Sequence, residues 1–461
     1  MNRPLLLAIA TFVFSLTSSA SGDKIKAYFN MPVDITFARN GNDAVYLNNT
    51  LDDTLIAYIN RATLSIDIAN YEISQGSGMA DVIGAINSAY TRGVVVRVIY
   101  DGQDNASTSI SQLNTGIRTL ASPSGSSYGI MHNKFMIIDA ADANKATVWT
   151  GSPNWTALMF HSDVNNVVIL QDQPLAQAYV AEFQQMWGST TATPNAATAK
   201  FGPYKAATTA HTFTIGGSTV DLYFSPTDGT NSEIVSAIAT ADRELFFGVY
   251  TFTEAPNANA ISAKYSTSGM TVKGIMDQYS TGYAAYNILS PVMGSDLRIY
   301  SQSNTVYHSK MMIVDPDYPA LDPLVTTGSH NWSTTADTKN DENMLIIHDS
   351  TIANLYLQSF AQNFKDLGGT ITPVATGIDV LSDGASVSVY PNPARDHIYI
   401  DITHASGAVA IELTDMAGHS LYTTSSATGH HSISMATYDC GMYIVKISTA
   451  AGTKTYKVVK L

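Results

Sequence analysis

His132-Asn133-Lys134-Phe135-Met136-Ile137-Ile138-Asp139 comes back in the same chain as His308-Ser309-Lys310-Met311-Met312-Ile313-Val314-Asp315, at a displacement of 176. Downstream, Gly151-Ser152-Pro153-Asn154-Trp155 comes back as Gly328-Ser329-His330-Asn331-Trp332, at a displacement of 177. The next segment repeats as well. Leu175, Tyr179, Phe183 and Trp187 are spaced by four, and Ile352, Tyr356, Phe360 and Phe364 keep that spacing at the displacement of 177, as one apolar helical stripe does. Three matches in one register mark an internal duplication. Within each copy, strand and helix patterns alternate. Leu64 to Tyr71 and Val94 to Tyr100 read as buried strands around a helix near Ala80 to Tyr90, with Leu245 to Thr251 and Val272 to Met276 as counterparts. This order predicts α/β layered halves with mostly parallel sheets.

Outward from the repeat, the 461 residues leave room for two to four domains. A composition of 45% hydrophobic and 13% charged residues excludes a wholly disordered or fibrous chain. The segment 1–22 reads as an export signal, with Arg3, an apolar run from Leu5 to Leu16 and the small residues Ser18-Ser19-Ala20. That run is short of the roughly 20 residues a membrane anchor needs. The predicted organisation is a signal at 1–22, a first half at 23–190, a connector over the surface at 191–211, a second half at 212–370, a second connector at 371–384 and a small all-β sandwich at 385–461. The last rests on short β-branched or alternating runs at Val387 to Tyr390, His397 to Thr403, Val409 to Leu413 and Tyr443 to Ser448. Cys440 is the single cysteine, so no intramolecular disulfide and no cysteine-built metal cluster is available. The net charge of −14 is concentrated in the repeated part, with −13 over residues 23–375 against −2 over 376–461. Such a surface repels phosphate backbones, so a nucleic-acid role would need a local basic channel.

On a strand from Lys134 to Asp139, side chains two apart share a face, which puts His132 beside Lys134 and His308 beside Lys310. Asp139 and Asp315 fall off that face and read as supporting or structural groups. A duplicated imidazole and ammonium supplies what cleavage of a phosphodiester needs. One imidazole attacks phosphorus, the other protonates the leaving oxygen, and the lysines hold the non-bridging oxygens as charge builds. Asn154 and Asn331, on the Gly-Ser turns, can donate amide hydrogens to those oxygens. A lone His-x-Lys is more often structural. Two buried lysines without partners would each cost several kcal/mol, so repeating them points to an anion held between them.

The pattern His-x-Lys, four residues, Asp, then Gly-Ser-x-Asn, present twice, resembles the phospholipase D superfamily over roughly residues 30 to 370. The resemblance implies two α/β/α sandwich halves about a pseudo-twofold axis and a cofactor-free and metal-free ping-pong reaction through a phosphohistidine. It suggests His132 as nucleophile and His308 as general acid, although the symmetry of the site makes either order chemically sensible. It also implies a carboxylate that holds each histidine Nδ1. Glu342 is expected in that role for His308. In the first half Asn165 stands at the aligned position, with Asp163 two residues earlier as the alternative acceptor for His132.

The superfamily leaves substrate open. A phospholipid diester, met at a membrane surface, suits an exported acidic protein, and Tyr279, Tyr283, Tyr286 and Met293 follow a strand end. Those side chains are expected mostly as packed loop anchors. The first-half motif also looks like that of the compact single-repeat nucleases of the superfamily, which makes a metal-independent endonuclease the alternative. A binding module without activity is the minor one. Asp315, Asp317 and Asp322 match no defined calcium loop. At the C-terminus, Tyr390-Pro391-Asn392-Pro393, Gly441-Met442-Tyr443-Ile444-Val445 and Lys457-Val458-Val459-Lys460-Leu461 resemble a type A sorting domain of the type IX secretion system. That implies a secretion machinery as partner and a secreted or outer-surface protein. A carbohydrate-binding sandwich is the alternative, but this region has no tryptophan to build an aromatic platform.

Overall fold

The computed structural model describes residues 24–460 apart from 40, 104–106, 126, 320, 374–378, 381–385, 391, 393, 404–407, 417, 427–428 and 450–451. The expected export signal at 1–22 and most of the second connector lie outside the described residues. The chain divides into two compact units, up to Ile371 and from Thr372 onward.

In the first unit each copy of the repeat builds an eight-stranded sheet. The first runs Val45–Tyr46, Ile25–Phe29, Asn166–Leu170, Thr147–Gly151, Lys134–Ile138, Ser65–Asn70, Val95–Tyr100, Arg118–Ala121 across its width. The second runs Leu297–Tyr300, Thr271–Asp277, Glu244–Val249, Lys310–Val314, Leu324–Gly328, Glu342–His348, Ser218–Ser225, Thr212–Ile215. The strands that carry the motifs, Lys134–Ile138 and Lys310–Val314, are central and buried throughout. Their side chains alternate between two layers. Phe135 and Ile137 join Met311 and Ile313 in one core shared by both halves, while Met136 and Ile138, and Met312 and Val314, face the outer cores. The shared core includes the predicted stripes Leu175, Tyr179, Phe183, Trp187 and Ile352, Tyr356, Phe360, Phe364, on helices Gln173–Trp187 and Ser350–Asp366. Helices Leu51–Arg61 and Met79–Thr91 cover the outside of one sheet, and Thr230–Thr240, Ala255–Tyr265 and Ala284–Met293 cover the other. This is the α/β/α layering expected.

The sheets are mixed, which corrects the expectation of mostly parallel strands. Ser65–Asn70 pairs in parallel with Val95–Tyr100 because helix Met79–Thr91 carries the chain back between them. Lys134–Ile138, Thr147–Gly151 and Asn166–Leu170 follow one another with only the five-residue helix Ala157–His161 between the last two, and are antiparallel. The second half repeats this, with parallel pairing at Glu244–Val249 and Thr271–Asp277 and antiparallel pairing from Lys310–Val314 to Glu342–His348.

The connector between the halves is also not confined to the surface. Lys205 is buried and bonds Glu182, Asp341 (2.8 Å) and the Ser225 carbonyl (3.0 Å), while the Gly202 amide donates to Asp341 (2.7 Å). An ammonium held between two carboxylates compensates its own burial, and this keeps the charged form of Lys205 favoured despite desolvation.

The second unit has two four-stranded sheets, one with Asp379–Val380, Ser386–Tyr390, His397–Thr403 and Gly429–Ser434, the other with Ser420–Ser426, Val409–Asp415, Gly441–Thr449 and Gly452–Lys460. Ile398, Ile400, Ile402, Ile411, Leu413, Val445, Ile447 and Val458 form its core at the two-residue period of half-buried strands. Asn392 binds the last strand through Lys457 O (2.8 Å) and Val459 N (2.9 Å), so two separate parts of the C-terminal pattern meet.

Candidate active site

Each histidine stands just ahead of a central strand, and the opposite half sets its position. The His132 amide donates to Asp341 O (2.9 Å), and the His308 amide donates to Val164 O (3.0 Å). Reciprocal bonds run from Asp341 N to Ile130 O (3.0 Å) and from Val164 N to Val306 O (2.9 Å). Asp341 and Val164 immediately precede Glu342 and Asn165. The pairing therefore crosses the molecule. Glu342 Oε2 lies 2.7 Å from His132 Nδ1, and Asn165 Oδ1 lies 3.1 Å from His308 Nδ1. The expected pairing of Glu342 with His308, and of Asn165 or Asp163 with His132, is corrected by this exchange. The strand register delivers each acceptor to the neighbouring half's histidine. Asp163 instead accepts from the Val306 amide at 2.8 Å, and its burial lifts its carboxyl to about 6.

The hydrogen bonds fix the tautomers. Glu342 also accepts from Ser329 Oγ (2.7 Å) and Asn340 Nδ2 (3.1 Å). Burial alone would raise its pKa, but attraction from His132, Lys134 and His330 outweighs that and holds it low. An ionised Glu342 can only accept, so His132 Nδ1 donates and Nε2 is bare. Asn165 spends its Nδ2 on Met159 O (2.9 Å) and Asp163 O (3.2 Å), and its Oδ1 also accepts from Ser152 Oγ at 2.8 Å. Oδ1 therefore faces His308, whose Nδ1 donates as well. The Gly-Ser pairs have a definite task here. Their serines brace the acceptors, and a Cβ on Gly151 or Gly328 would meet the Asn166 or Asn343 carbonyl at 2.3 Å.

Lys134 and Lys310 are nearly fully buried. Their ammonium groups donate to the carbonyls of His132 (2.8 Å) and His308 (2.5 Å) and lie 5.4 and 5.2 Å from the ring centres of Tyr71 and Tyr250. The same tyrosines pack on His132 and His308 at 5.1 and 4.9 Å, so each His and Lys pair shares one side of its strand, as expected. Desolvation, first, brings Lys134 down to about 7, with Glu342, Glu72 and Asp101 opposing it. Lys310 falls well below its ordinary range through burial and then repulsion from Lys134. Burial likewise lowers His132 to about 4 against the pull of Glu342, and it holds His308 well below its ordinary range, with Lys310, Lys134 and His132 adding to the effect. Burial thus depresses all four groups from the two halves around one place, and repulsion from neighbouring lysines adds to it at His132, His308 and Lys310. Such a site favours an anion that would restore their protons.

Asn154 is buried with its side-chain oxygen unpartnered among the described residues, and Asn331 Oδ1 accepts from Thr251 N at 3.4 Å. Asp139 lies at the far end of its strand and accepts from the amides of Thr63, Leu64 and Ser65, and Asp315 accepts from those of Asp242, Arg243 and Glu244. Both adopt positive φ, 49° and 47°. Both carboxylates clasp backbone amides at that end of the strand.

Sequence reasoning missed three pairs. Asp101 and Asp277, at the ends of the neighbouring strands, hold the amides of Met131 (2.9 Å) and Tyr307 (2.8 Å), each just before a histidine. They stand as far apart in the chain as the two histidines do, a signal present in the repeat itself. Tyr71 and Tyr250 form the aromatic backing. Asn166 and Asn343 cross the molecule to Ser309 (3.2 Å) and Thr150 (2.8 Å).

Among the described residues no group of three or more His, Cys, Asp or Glu side chains is placed to hold a metal ion, and no helix is long and apolar enough to cross a membrane. The family model described as cardiolipin synthase, PLD-like domain matches residues 55–187 and again 234–364, and the secretion system C-terminal sorting domain matches 388–461. A mitochondrial cardiolipin hydrolase of Drosophila melanogaster is 31% identical over 153 residues, 29% of this chain and 57% of its own length. A phospholipase D of Rickettsia prowazekii is 34% identical over 132 residues, 26% of this chain and 56% of its own. The chain thus spans rather more than half the length of these relatives. Among solved structures, the phosphatidylserine synthase of Haemophilus influenzae aligns with a TM-score of 0.51 at 13% identity, over 69% of this chain and 84% of that one, a likeness of fold. The two matches to the PLD-like model together take in more than half of the sequence, and on that ground the chain belongs to the phospholipase D-like family.

Proposed function

We propose that this chain is an exported phosphodiesterase of the phospholipase D type that hydrolyses the head-group ester of a phospholipid through a phosphohistidine. The observation that carries the reading is the crossed site, in which two His and Lys pairs converge while each histidine is held by the other half. The phosphate of a diester entering between Lys134 and Lys310 relieves their repulsion and raises the four depressed groups toward their protonated forms.

The unequal acceptors divide the labour. Attack by Nε2 on phosphorus leaves a phosphorylated ring with a positive charge while Nδ1 keeps its hydrogen. Glu342 stabilises that charge on His132, as the carboxylate of a catalytic triad does for its imidazolium. Asn165 can orient His308 but carries no charge, so His308 gives up a proton more readily and suits the general acid. In the first step the His132 Nε2–P bond forms, the bond from phosphorus to the head-group oxygen breaks, and that oxygen takes the His308 proton. In the second, water gives a proton back to His308, its oxygen bonds phosphorus, and the His132 N–P bond breaks.

Lipid is favoured over nucleic acid by the acidity of the repeated part and by relatives named for cardiolipin hydrolase and phospholipase D activity. Export is supported by the sorting-domain match. The test is parallel assay on phosphatidylcholine vesicles, cardiolipin vesicles and plasmid DNA in chelator, with His132→Asn as control. Head-group release from vesicles without DNA nicking is expected. Nicking without lipid turnover would make the protein an endonuclease, and turnover of neither would leave only the fold.

A further inference from the structure

From Gln278 to Ser295 the chain carries no charged side chain, although the repeated part around it is acidic. The segment leaves the end of strand Thr271–Asp277, beside the second half of the site. Ser280 pins it there. Its Oγ donates to Tyr250 O (2.8 Å) and accepts from Phe252 N (2.9 Å). The Tyr279 ring packs edge-on against Tyr250 at 5.6 Å, and Tyr250 packs against His308 at 4.9 Å. Helix Ala284–Met293 buries Ala285, Leu289 and Met293 on the outer core. Its other side turns Tyr283, Ala284, Asn287, Pro291 and Val292 to solvent. Helices on a water-facing surface ordinarily present charge there, and this one presents none. Tyr279, Tyr283 and Val292 are 60%, 48% and 40% exposed, so the tyrosines of this segment are not all the packed anchors expected.

The first half differs at the matching place. Asp101 holds the amide before His132 as Asp277 holds the one before His308. Beyond Asp101 the described residues turn polar, with Gln103, Ser107, Thr108, Ser111 and Gln112 and only the short 3-10 turn Ile110–Gln112. The arm with its helix and its exposed tyrosines and valine is therefore a feature of one side of the site.

We propose that the arm at 278–295 is the surface through which the protein rests on a zwitterionic phospholipid layer, an inference that rests on the lipid reading above. Tyrosines with apolar rings and polar tips suit the boundary between head groups and acyl chains. The arm's lack of charge costs little desolvation there, whereas the acidic remainder disfavours an anionic partner. Continuity through Tyr250 to His308 is what singles out this occupant. A lipid layer covering the arm also presents its diesters beside the reacting imidazole.

The test uses the full chain in a His132→Asn background, with cosedimentation on phosphatidylcholine vesicles as the readout of binding without turnover. Tyr283→Ser with Val292→Asp should lower the partition at least tenfold. Leu64→Ser, an exposed apolar residue ahead of the strand end away from the histidines, should leave it unchanged. With His132 restored, the arm variant should hydrolyse the soluble diester bis(4-nitrophenyl) phosphate within twofold of the parent, which also shows that it folds. Absence of vesicle binding by the parent, or a partition that ignores the arm substitutions, overturns the proposal. A parent that binds vesicles through the arm yet releases no head group overturns the lipid-hydrolase reading instead and leaves the docking surface standing.

Discussion

Glu342 and Asn165 occupy matching positions in the two halves, receive matching serine hydrogen bonds, and each reaches across to the other half's histidine. One is an anion and the other a neutral amide. The scaffold is thus symmetric to within hydrogen-bond distance while the electrostatics are not, and a pseudo-twofold site acquires a direction from a carboxylate on one side and a shorter, neutral amide on the other.

The largest expected effect comes from removing either imidazole. His132→Asn and His308→Asn should each lower kcat by about 10⁴-fold or more, but they should fail differently. With bis(4-nitrophenyl) phosphate, whose leaving group needs no acid, His308→Asn should accumulate a phosphoryl adduct on the peptide bearing His132, read by mass spectrometry of the acid-protected digest. An adduct on His308 in the His132→Asn protein would reverse the assignment. Next, Glu342→Gln keeps the shape and removes the charge, and should cost about 10²- to 10³-fold in kcat, against about tenfold for Asn165→Ala. Equal losses would erase the distinction between the halves.

A third change attempts to restore the symmetry. Asn165→Asp places a carboxylate on His308 Nδ1 and raises that histidine's pKa. Because the acid must be protonated to act, the basic limb of the kcat profile should move upward by roughly one pH unit. A profile that stays in place would remove His308 from the acid's role.

Stability gives a smaller signal. His132 sits at about 4 in the fold and near 6.5 in an unfolded chain. Above the higher value both states are neutral and its contribution is complete. As pH falls from 6.5 toward 4, the unfolded chain takes up a proton that the fold refuses, and stability is lost. On going from pH 7 to pH 5 the parent should lose about 2 kcal/mol more than His132→Asn. Tryptophan fluorescence follows the relevant unit, since all four tryptophans precede residue 372. The smallest effect on activity is expected at the clasps. Asp315→Asn should leave kcat within a few-fold and cost about 1–3 kcal/mol of stability by weakening three backbone bonds.

The duplication, the buried strands and the convergence of His132, Lys134, His308 and Lys310 could be read because they follow from short-range periodicity and repetition. The direction of the strands could not be read as easily. Apolar runs such as Phe135 to Ile138 look alike in parallel and antiparallel pairs, and the link 152–165, with its helix Ala157–His161, is long enough for either. The exchange of Glu342 and Asn165 was hidden for a different reason. Alignment of the two copies places each acceptor beside its own histidine in the repeat, whereas the bonds of Asp341 to His132 and of Val164 to His308 are made only when the copies dock. Lys205 was lost in a stretch whose Ser, Thr and Ala content reads as loop, since one lysine gives no sign that two buried carboxylates await it.

The exchange of acceptors also bears on inheritance. A mutation in the first repeat's Asn165 codon is felt by the imidazole encoded in the second, and the reverse holds for Glu342, so neither copy can drift toward a separate fate without disarming its sibling.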